Sequence, residues 1–158
     1  MDKLSHFNNA GHAKMVDVSD KESTVREAVA CGCVFVNSEV FKMIRKGNTE
    51  KGDVFGVAQV AGIMAAKRTS EIIPMCHPVT ITGVDIAFDL DEDVCAVNIT
   101  ATVRCKGETG VEMEALTAVS ATALTIYDMC KSAQKDILLS DIKLLRKTGG
   151  KSGNYIAK

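Results

Sequence analysis

The only two prolines of the chain enclose a short segment that contains a histidine. Pro74 and Pro78 flank Met75, Cys76 and His77. Because proline fixes its own φ and biases the preceding residue away from helix, this segment is predicted to be stiff and extended. An imidazole on a stiff loop is suited to positioning a ligand or moving a proton. A simple connector, in which His77 only hydrogen-bonds the backbone, explains the same pattern equally well.

A second set of polar residues lies on the longest predicted helix. Asp128 and Lys131 are three residues apart and share one face, while Glu112 and Glu114 stand near the other end. A carboxylate beside a lysine can act as an acid/base pair, although an ordinary ion pair explains the spacing as well. Along a straight helix Glu114 and Asp128 are about 21 Å apart. They serve one site only if the ligand is long or a second subunit contributes.

Basic residues are unevenly distributed in a chain whose formal net charge is −1. Residues 69–103 include no Lys or Arg, and residues 142–158 include no Asp or Glu. Several lysines adjoin glycines, which suits phosphate because glycine lets backbone N–H groups approach an anion. These pairs are Lys46-Gly47, Lys51-Gly52, Lys106-Gly107 and Gly150-Lys151. A solvated basic surface is the alternative. The segment from Thr148 to Ser152 lacks the first glycine of a P-loop.

Composition and cysteine usage narrow the class of protein. With 19 Lys+Arg against 20 Asp+Glu and few aromatic residues, the chain lacks the basic excess and stacking residues of a nucleic-acid binder. Its 6 cysteines form no CxxC pair, so they are predicted to be reduced, mostly buried thiols that bind no metal. The polar start differs from a signal peptide, and no apolar run is long enough to span a membrane. We therefore expect a cytoplasmic protein without membrane or nucleic-acid partners.

Apolar periodicity predicts alternating strands and helices along the chain. The expected elements are strands at 15–18 and 24–36, helices at 39–46 and 54–68, a hairpin of 84–90 with 97–103, a helix at about 110–135 and a strand at about 137–146. Asn37 or Ser38 is expected to cap the first helix and Asp53 the second. Thr109 and Glu112 have the form of a capping box for the long helix.

This order favours an α+β fold: a ferredoxin-like sandwich, with helices packed on one face of an antiparallel sheet. We expect residues 1–13 to form a flexible arm and residues 14–158 a single catalytic domain.

Several of these segments resemble the MoaC family, the cyclic pyranopterin monophosphate synthases of molybdenum cofactor biosynthesis. The resemblance spans about residues 15–153. The matching segments are 51–54 (KGDV), 61–63 (AGI), 65–69 (AAKRT), 73–78 (IPMCHP), 109–117 (TGVEMEALT), 124–131 (LTIYDMCK) and 149–153 (GGKSG).

The resemblance implies a substrate, a reaction and site residues. The substrate would be a cyclised dihydro-GTP made by a radical-SAM partner enzyme. The products would be cyclic pyranopterin monophosphate and pyrophosphate, formed without a cofactor. The implied catalytic residues are Asp128, Lys131 and Lys51. The implied substrate-binding residues are Met75, Cys76, His77, Glu112, Met113, Glu114, Lys67, Arg26 and Lys147. The family also implies a homohexamer, a trimer of dimers, with sites at subunit interfaces.

Two other classes of protein remain to be weighed. One is a non-catalytic, ferredoxin-like regulatory module that binds a nucleotide without releasing pyrophosphate. The other is a structural oligomerisation protein whose Lys and Asp residues form plain ion pairs.

Overall fold

A five-stranded antiparallel sheet forms one layer of the protein. The computed structural model describes residues 8, 10–47, 52–150 and 153–158. The strands, in chain order, are β1 (Thr24–Phe35), β2 (Ile81–Asp91), β3 (Ala96–Gly107), β4 (Leu138–Thr148) and β5 (Tyr155–Ile156). They lie in the order β2-β3-β1-β4-β5, and every adjacent pair is antiparallel.

Helices form the second layer. They are α1 (Ser38–Lys46), α2 (Val54–Lys67), α3 (Thr69–Ile72) and α4 (Glu112–Cys130). Helix α4 packs on β1, β3 and β4, while α2 packs on α4 and β2. Helices α1 to α3 lie between β1 and β2 in the chain, and α4 lies between β3 and β4. This split βαβ arrangement confirms the predicted ferredoxin-like α+β fold, with helices on one face of the sheet.

The core lies between the sheet and α4. Alternate residues of β3, from Val97 to Val103, are fully buried, and they pair with the buried residues Val34, Ala30 and Ala28 of β1. Side chains alternate between the two faces of a strand, so the residues between them face the opposite side of the sheet. Those intervening residues of β3 include Asn98, Thr100 and Thr102, which are only partly buried.

A close approach between α2 and α4 depends on small side chains. The Thr122 hydroxyl donates to the Ala58 carbonyl at 3.4 Å, and a Cβ placed on Gly62 would lie 3.0 Å from the carbonyl oxygen of Ala118. Ala58 of α2 lies against Thr122 of α4. One turn later in α2, Gly62 also lies against Ala118, which is one turn earlier in α4. The two helices therefore run in opposite directions.

The local signals at α1 and α2 are confirmed. The Asn37 side chain accepts from the Val40 N–H at 2.8 Å, and Gly47 ends α1 in the left-handed conformation at φ 66°. The Asp53 side chain accepts from the Gly56 N–H at 3.0 Å at the start of α2.

Other predicted boundaries are wrong. Residues 15–18 form no strand: Val16 and Val18 alternate in burial with their exposed neighbours, but the segment has no partner strand. Helix α4 spans Glu112–Cys130 instead of 110–135, and its N-cap is Val111 without a side-chain cap bond. The capping box of Thr109 and Glu112 is therefore absent. The last long strand continues to Thr148, and β5 follows it.

Within the described part of the chain, no helix combines the length and the apolar character that crossing a membrane requires.

Candidate active site

The loop between the two prolines lies beside the start of α4. Together they enclose a cavity of about 180 Å³. Its lining includes all six of the substrate-binding residues predicted for this region: Met75, Cys76, His77, Glu112, Met113 and Glu114. Residues about 35 positions apart in the sequence are thus brought to one place, and their role in binding stays a prediction.

Glu114 is the buried acid of this cavity. It is only 4% exposed, and burial, with a smaller contribution from the charge of Glu112, raises its pKa to about 7. The carboxyl therefore exchanges its proton within the neutral range and not near pH 4.5. Burial, followed by the charge of Glu114, also raises the pKa of the Cys76 thiol. Since the thiolate is the nucleophilic form, the raised pKa argues against a nucleophilic role for Cys76.

A second cavity adjoins the first and carries positive charge. Its volume is about 410 Å³, and its lining includes Arg26, Lys147 and Glu112, the last of which also lines the first cavity. The ammonium of Lys147 lies 3.1 Å from the Glu112 carboxylate. The guanidinium of Arg26 donates to the carbonyls of Gly107 at 2.8 Å and Glu108 at 3.0 Å. These bonds fix the loop that leads into α4.

Lys67 is the exposed last residue of α2. Because α2 and α4 run in opposite directions, the C-terminal end of α2 lies toward the first turn of α4. The chain then passes through α3 and reaches the loop that lines the first cavity. Lys67 thus stands at the same end of the helix pair as Glu112 and Glu114.

Asp128 and Lys131 lie at the other end of α4. Their side chains form an ion pair of 2.6 Å, with 56% and 52% of the respective side chains exposed. The hydrogen bond that Lys131 donates to the Asp128 carboxylate, together with the negative charge of Asp128, raises the pKa of Lys131. The pair is exposed in the single chain, although many other residues of α4 are buried. Exposed ion pairs contribute little to stability.

The predicted site residues therefore form two groups on one chain. One group lies at the N-terminal end of α4, with Arg26 and Lys147 beside it, and the other is the Asp128–Lys131 pair. Both groups stand on the same helix, so the separation of about 21 Å along the helix applies. Lys51 lies outside the described residues.

Sequence reasoning missed several residues that line the two cavities. Val79 lines the first cavity, Lys21 and Glu108 line the second, and Thr109 and Gly110 line both. Thr109 and Gly110 directly precede Glu112, so their position in the chain was a usable signal. Lys21 is close in sequence to Arg26, but it is remote from the lining residues 108–112 and 147, and only the folded chain brings it to them.

The outer side of the helix layer is apolar. Val57, Val60 and Met64 recur along α2 at helical spacing and are exposed, with Val60 at 60%. On α4, Leu124 is 59% exposed and lies one turn before Asp128, while Met113 lies one turn before Thr117. This stripe of α4 thus runs from the exposed Met113, past the partly buried Ser120 and Ala121, to the exposed Leu124 and Asp128.

Chemically, the arrangement combines acid/base groups with anion-binding groups. Glu114 and His77 can exchange protons with a ligand in the first cavity, while Arg26 and Lys147 can hold a negative group in the second. Among the residues that the structure describes, no group of three or more His, Cys, Asp or Glu is placed to hold a metal ion. The fold and the cavities define a ferredoxin-like α+β protein with an acid/base cavity next to a cationic one.

Comparisons with known proteins identify the family. The MoaC family model matches residues 15–150, so this chain belongs to the MoaC family. A cyclic pyranopterin monophosphate synthase from Thermoanaerobacter sp. (strain X514) is 59% identical over 152 residues, which are 96% of each chain. The protein of the same name from Heliobacterium modesticaldum is 59% identical over 156 residues, 99% of this chain and 98% of the relative. The one from Bacillus mycoides is 56% identical over 158 residues.

Proposed function

We propose that this protein is a cyclic pyranopterin monophosphate synthase, a lyase of molybdenum cofactor biosynthesis. It converts a cyclised dihydro-GTP into cyclic pyranopterin monophosphate and releases pyrophosphate. The observation that carries the proposal is near-full-length similarity to synthases of that name. It is joined to a cavity lined by the buried Glu114, whose pKa is raised to about 7, next to a second cavity lined by the cations Arg26 and Lys147. The catalytic domain comprises residues 14–158. The location is the cytoplasm, where the 6 cysteines, all of them present as thiols in the structure, stay reduced.

The reaction requires both proton transfer and stabilisation of negative charge. Opening and rebuilding the guanine-derived ring requires repeated proton transfers, for which Asp128, Lys131 and Lys51 are the proposed catalytic residues. A sugar hydroxyl then attacks the α-phosphate, its proton passes to a base, and pyrophosphate leaves with the electron pair of the broken P–O bond. Arg26, Lys147 and Lys67 stabilise the negative charge of the triphosphate and of the leaving pyrophosphate. Met75, Cys76, His77, Glu112, Met113 and Glu114 hold the ring.

A second copy of the chain completes the site. The two groups of site residues are too far apart on α4 to meet within one chain. A two-fold axis near Ser120 and Ala121 would pair two α4 helices in opposite directions and place Asp128 of one copy beside Met113 of the other. Such an isologous contact covers the exposed Val60 and Leu124 and creates two equivalent sites. The dimers assemble into a hexamer, a trimer of dimers.

The decisive experiment is an assay of the purified protein with the product of a radical-SAM GTP cyclase. We expect release of pyrophosphate together with a pterin. If the protein were instead a nucleotide-binding regulatory module, the substrate would bind and raise the melting temperature without release of pyrophosphate. The rival of a structural oligomerisation protein predicts no stabilisation at all.

The composite site is tested by mixing two inactive variants, Asp128→Ala and Glu114→Gln. In a mixed dimer of opposite helices, one site receives both wild-type residues and the other receives both substitutions. Random mixing makes about half of the dimers mixed, so about one quarter of wild-type activity should return. A mixture of Asp128→Ala with Lys131→Ala is the control and should stay inactive, because both changes fall at the same end of α4. Failure of the first mixture to recover activity would place each site within one chain.

A further inference from the structure

The ring of His77 is hydrogen-bonded to a distant part of the chain. Its Nε2 lies 2.6 Å from the carbonyl oxygen of Val16, a residue 61 positions earlier. A carbonyl oxygen can only accept a hydrogen bond, so Nε2 must carry a proton in this contact. In the neutral ring Nδ1 then has the free electron pair, and it is the ring nitrogen left for a ligand.

The segment that supplies the carbonyl is held against the protein by two side chains. Val16 and Val18 are partly buried, whereas Met15 and Asp17 are exposed. We call residues 16–18 the N-terminal strap. It belongs to no strand, so the ladder hydrogen bonds of a sheet do not hold it in place. The valine contacts and the bond to His77 connect it to the domain.

Asp17 places negative charge close to the same ring. Its carboxylate accepts from the Ser19 hydroxyl at 2.6 Å and from the Ser19 N–H at 2.9 Å. These two bonds are the main cause of a lowered pKa for Asp17, and the positive charges of Lys14 and His77 lower it further. The carboxylate is therefore ionised at neutral pH and lies near the imidazole.

The loop that carries His77 has little structure of its own to fix the ring. It contains no helix or strand between α3 and β2, and its two prolines lack backbone N–H donors. The hydrogen-bond partner that the structure gives the imidazole, the Val16 carbonyl, lies outside this loop.

We propose that the N-terminal strap is a positioning element of the active site, in which the Val16 carbonyl holds His77 as the Nε2–H tautomer and leaves Nδ1 as a proton acceptor toward the substrate. The inference deepens the proposed function and rests on it for its catalytic meaning. His77 touches the substrate, and Val16 acts through His77.

The first test is the tautomer itself, measured by ¹⁵N–¹H long-range NMR correlation on the full chain at a pH where the ring is neutral. The chain has only 3 histidines, and a His77→Gln variant identifies the signals of His77. We expect a protonated Nε2 and an unprotonated Nδ1. A neutral His77 with its proton on Nδ1, or one that averages between the two forms, would overturn the inference.

The second test releases the strap in the full chain. The double substitution Val16→Ser with Val18→Ser removes the partly buried side chains, and Met15→Ser is the matched control because Met15 is 48% exposed. We expect the double variant to lose the single tautomer and at least about tenfold in kcat, since a misplaced catalytic group is costly. Met15→Ser should keep both. An unchanged tautomer and kcat in the double variant would remove any role for the strap.

The two proposals fail in different ways. If the wild-type protein releases no pyrophosphate from the cyclised dihydro-GTP, the proposed function is wrong, whatever the tautomer. If it turns over normally while His77 carries its proton on Nδ1, the function stands and the positioning role is wrong.

Discussion

Glu114 carries its carboxyl in the first turn of α4 but almost out of contact with water. The N-terminal end of a helix favours a negative charge. Burial opposes the charge more strongly and raises the pKa of Glu114 to about 7. The residue can therefore donate a proton near neutral pH, which an exposed glutamate with a pKa near 4.5 does rarely.

The raised pKa of Glu114 should make the folded state less stable as pH rises. The unfolded chain loses this proton near pH 4.5 and the folded chain near pH 7. The free energy of unfolding is thus unaffected by this residue below pH 4.5 and falls between pH 4.5 and pH 7. Above pH 7 this residue makes it lower by about 3 kcal/mol. Glu114→Gln should remove this part of the decline, as measured by urea unfolding at pH 5 and pH 8. An equal decline in both proteins would contradict the assignment.

Asp128→Ala should separate catalysis from stability. We expect loss of pyrophosphate release, with a melting temperature close to that of the wild type, because the exposed pair with Lys131 contributes at most about 1 kcal/mol. Arg45→Ala is a matched control, since it breaks another exposed pair, of 2.6 Å, with Glu92. That variant should keep both activity and melting temperature. Near-normal turnover by Asp128→Ala would exclude it from the catalytic residues.

The sequence named candidate site residues, but it did not predict all of their surroundings. The resemblance named Glu112, Glu114 and His77, and the structure brings them to one cavity. The bond from His77 to Val16 could not be predicted, because a backbone carbonyl is present at every residue and carries no sequence signal. The ion pair of Asp128 and Lys131 was predictable from their spacing, but its exposure was not.

At the scale of elements, predictions succeeded where the signal was local. Helix α1 is capped by Asn37 before its first residue and by Gly47 after its last. Each of these residues hydrogen-bonds backbone groups within one turn. The start of α4 depends instead on distant residues, since Lys147 pairs with Glu112 and Arg26 binds the carbonyls of the preceding loop. The same distinction explains the wrong strand prediction at residues 15–18. An apolar pattern is a property of one segment, whereas a strand needs a partner.

Gly62→Ala tests the contact between α2 and α4. The added Cβ would meet the Thr122 and Ile86 side chains and lie 3.0 Å from the Ala118 carbonyl. We expect a net loss of about 1–2 kcal/mol, because overpacking outweighs the better helix propensity of alanine. Gly83→Ala is the control, since nothing lies within 4 Å of the added carbon. Urea unfolding of both variants measures the difference, and equal stabilities would show that α2 can shift without cost.

At the scale of the whole molecule, the apolar outer side of the helices is the surface to be tested. Leu124→Asp should prevent pairing across α4, because it would bury a charge at the proposed contact. We expect smaller assemblies in sedimentation velocity and loss of turnover together. Val94→Asp, at an exposed residue of the β2–β3 turn, should change neither property. An unchanged assembly in Leu124→Asp would exclude this face as the contact.

The length of helix α4 also sets the geometry of the proposed site. Between Glu114 and Asp128 there is one continuous helix, so the number of residues alone sets both their distance and their angle. One inserted residue would turn Asp128 by about 100° around the axis and move it by about 1.5 Å. In the proposed dimer the error would occur in both copies. We therefore expect this helix to tolerate substitutions more readily than insertions or deletions. The turn between β2 and β3 sets no such distance, so its length is not restricted in this way.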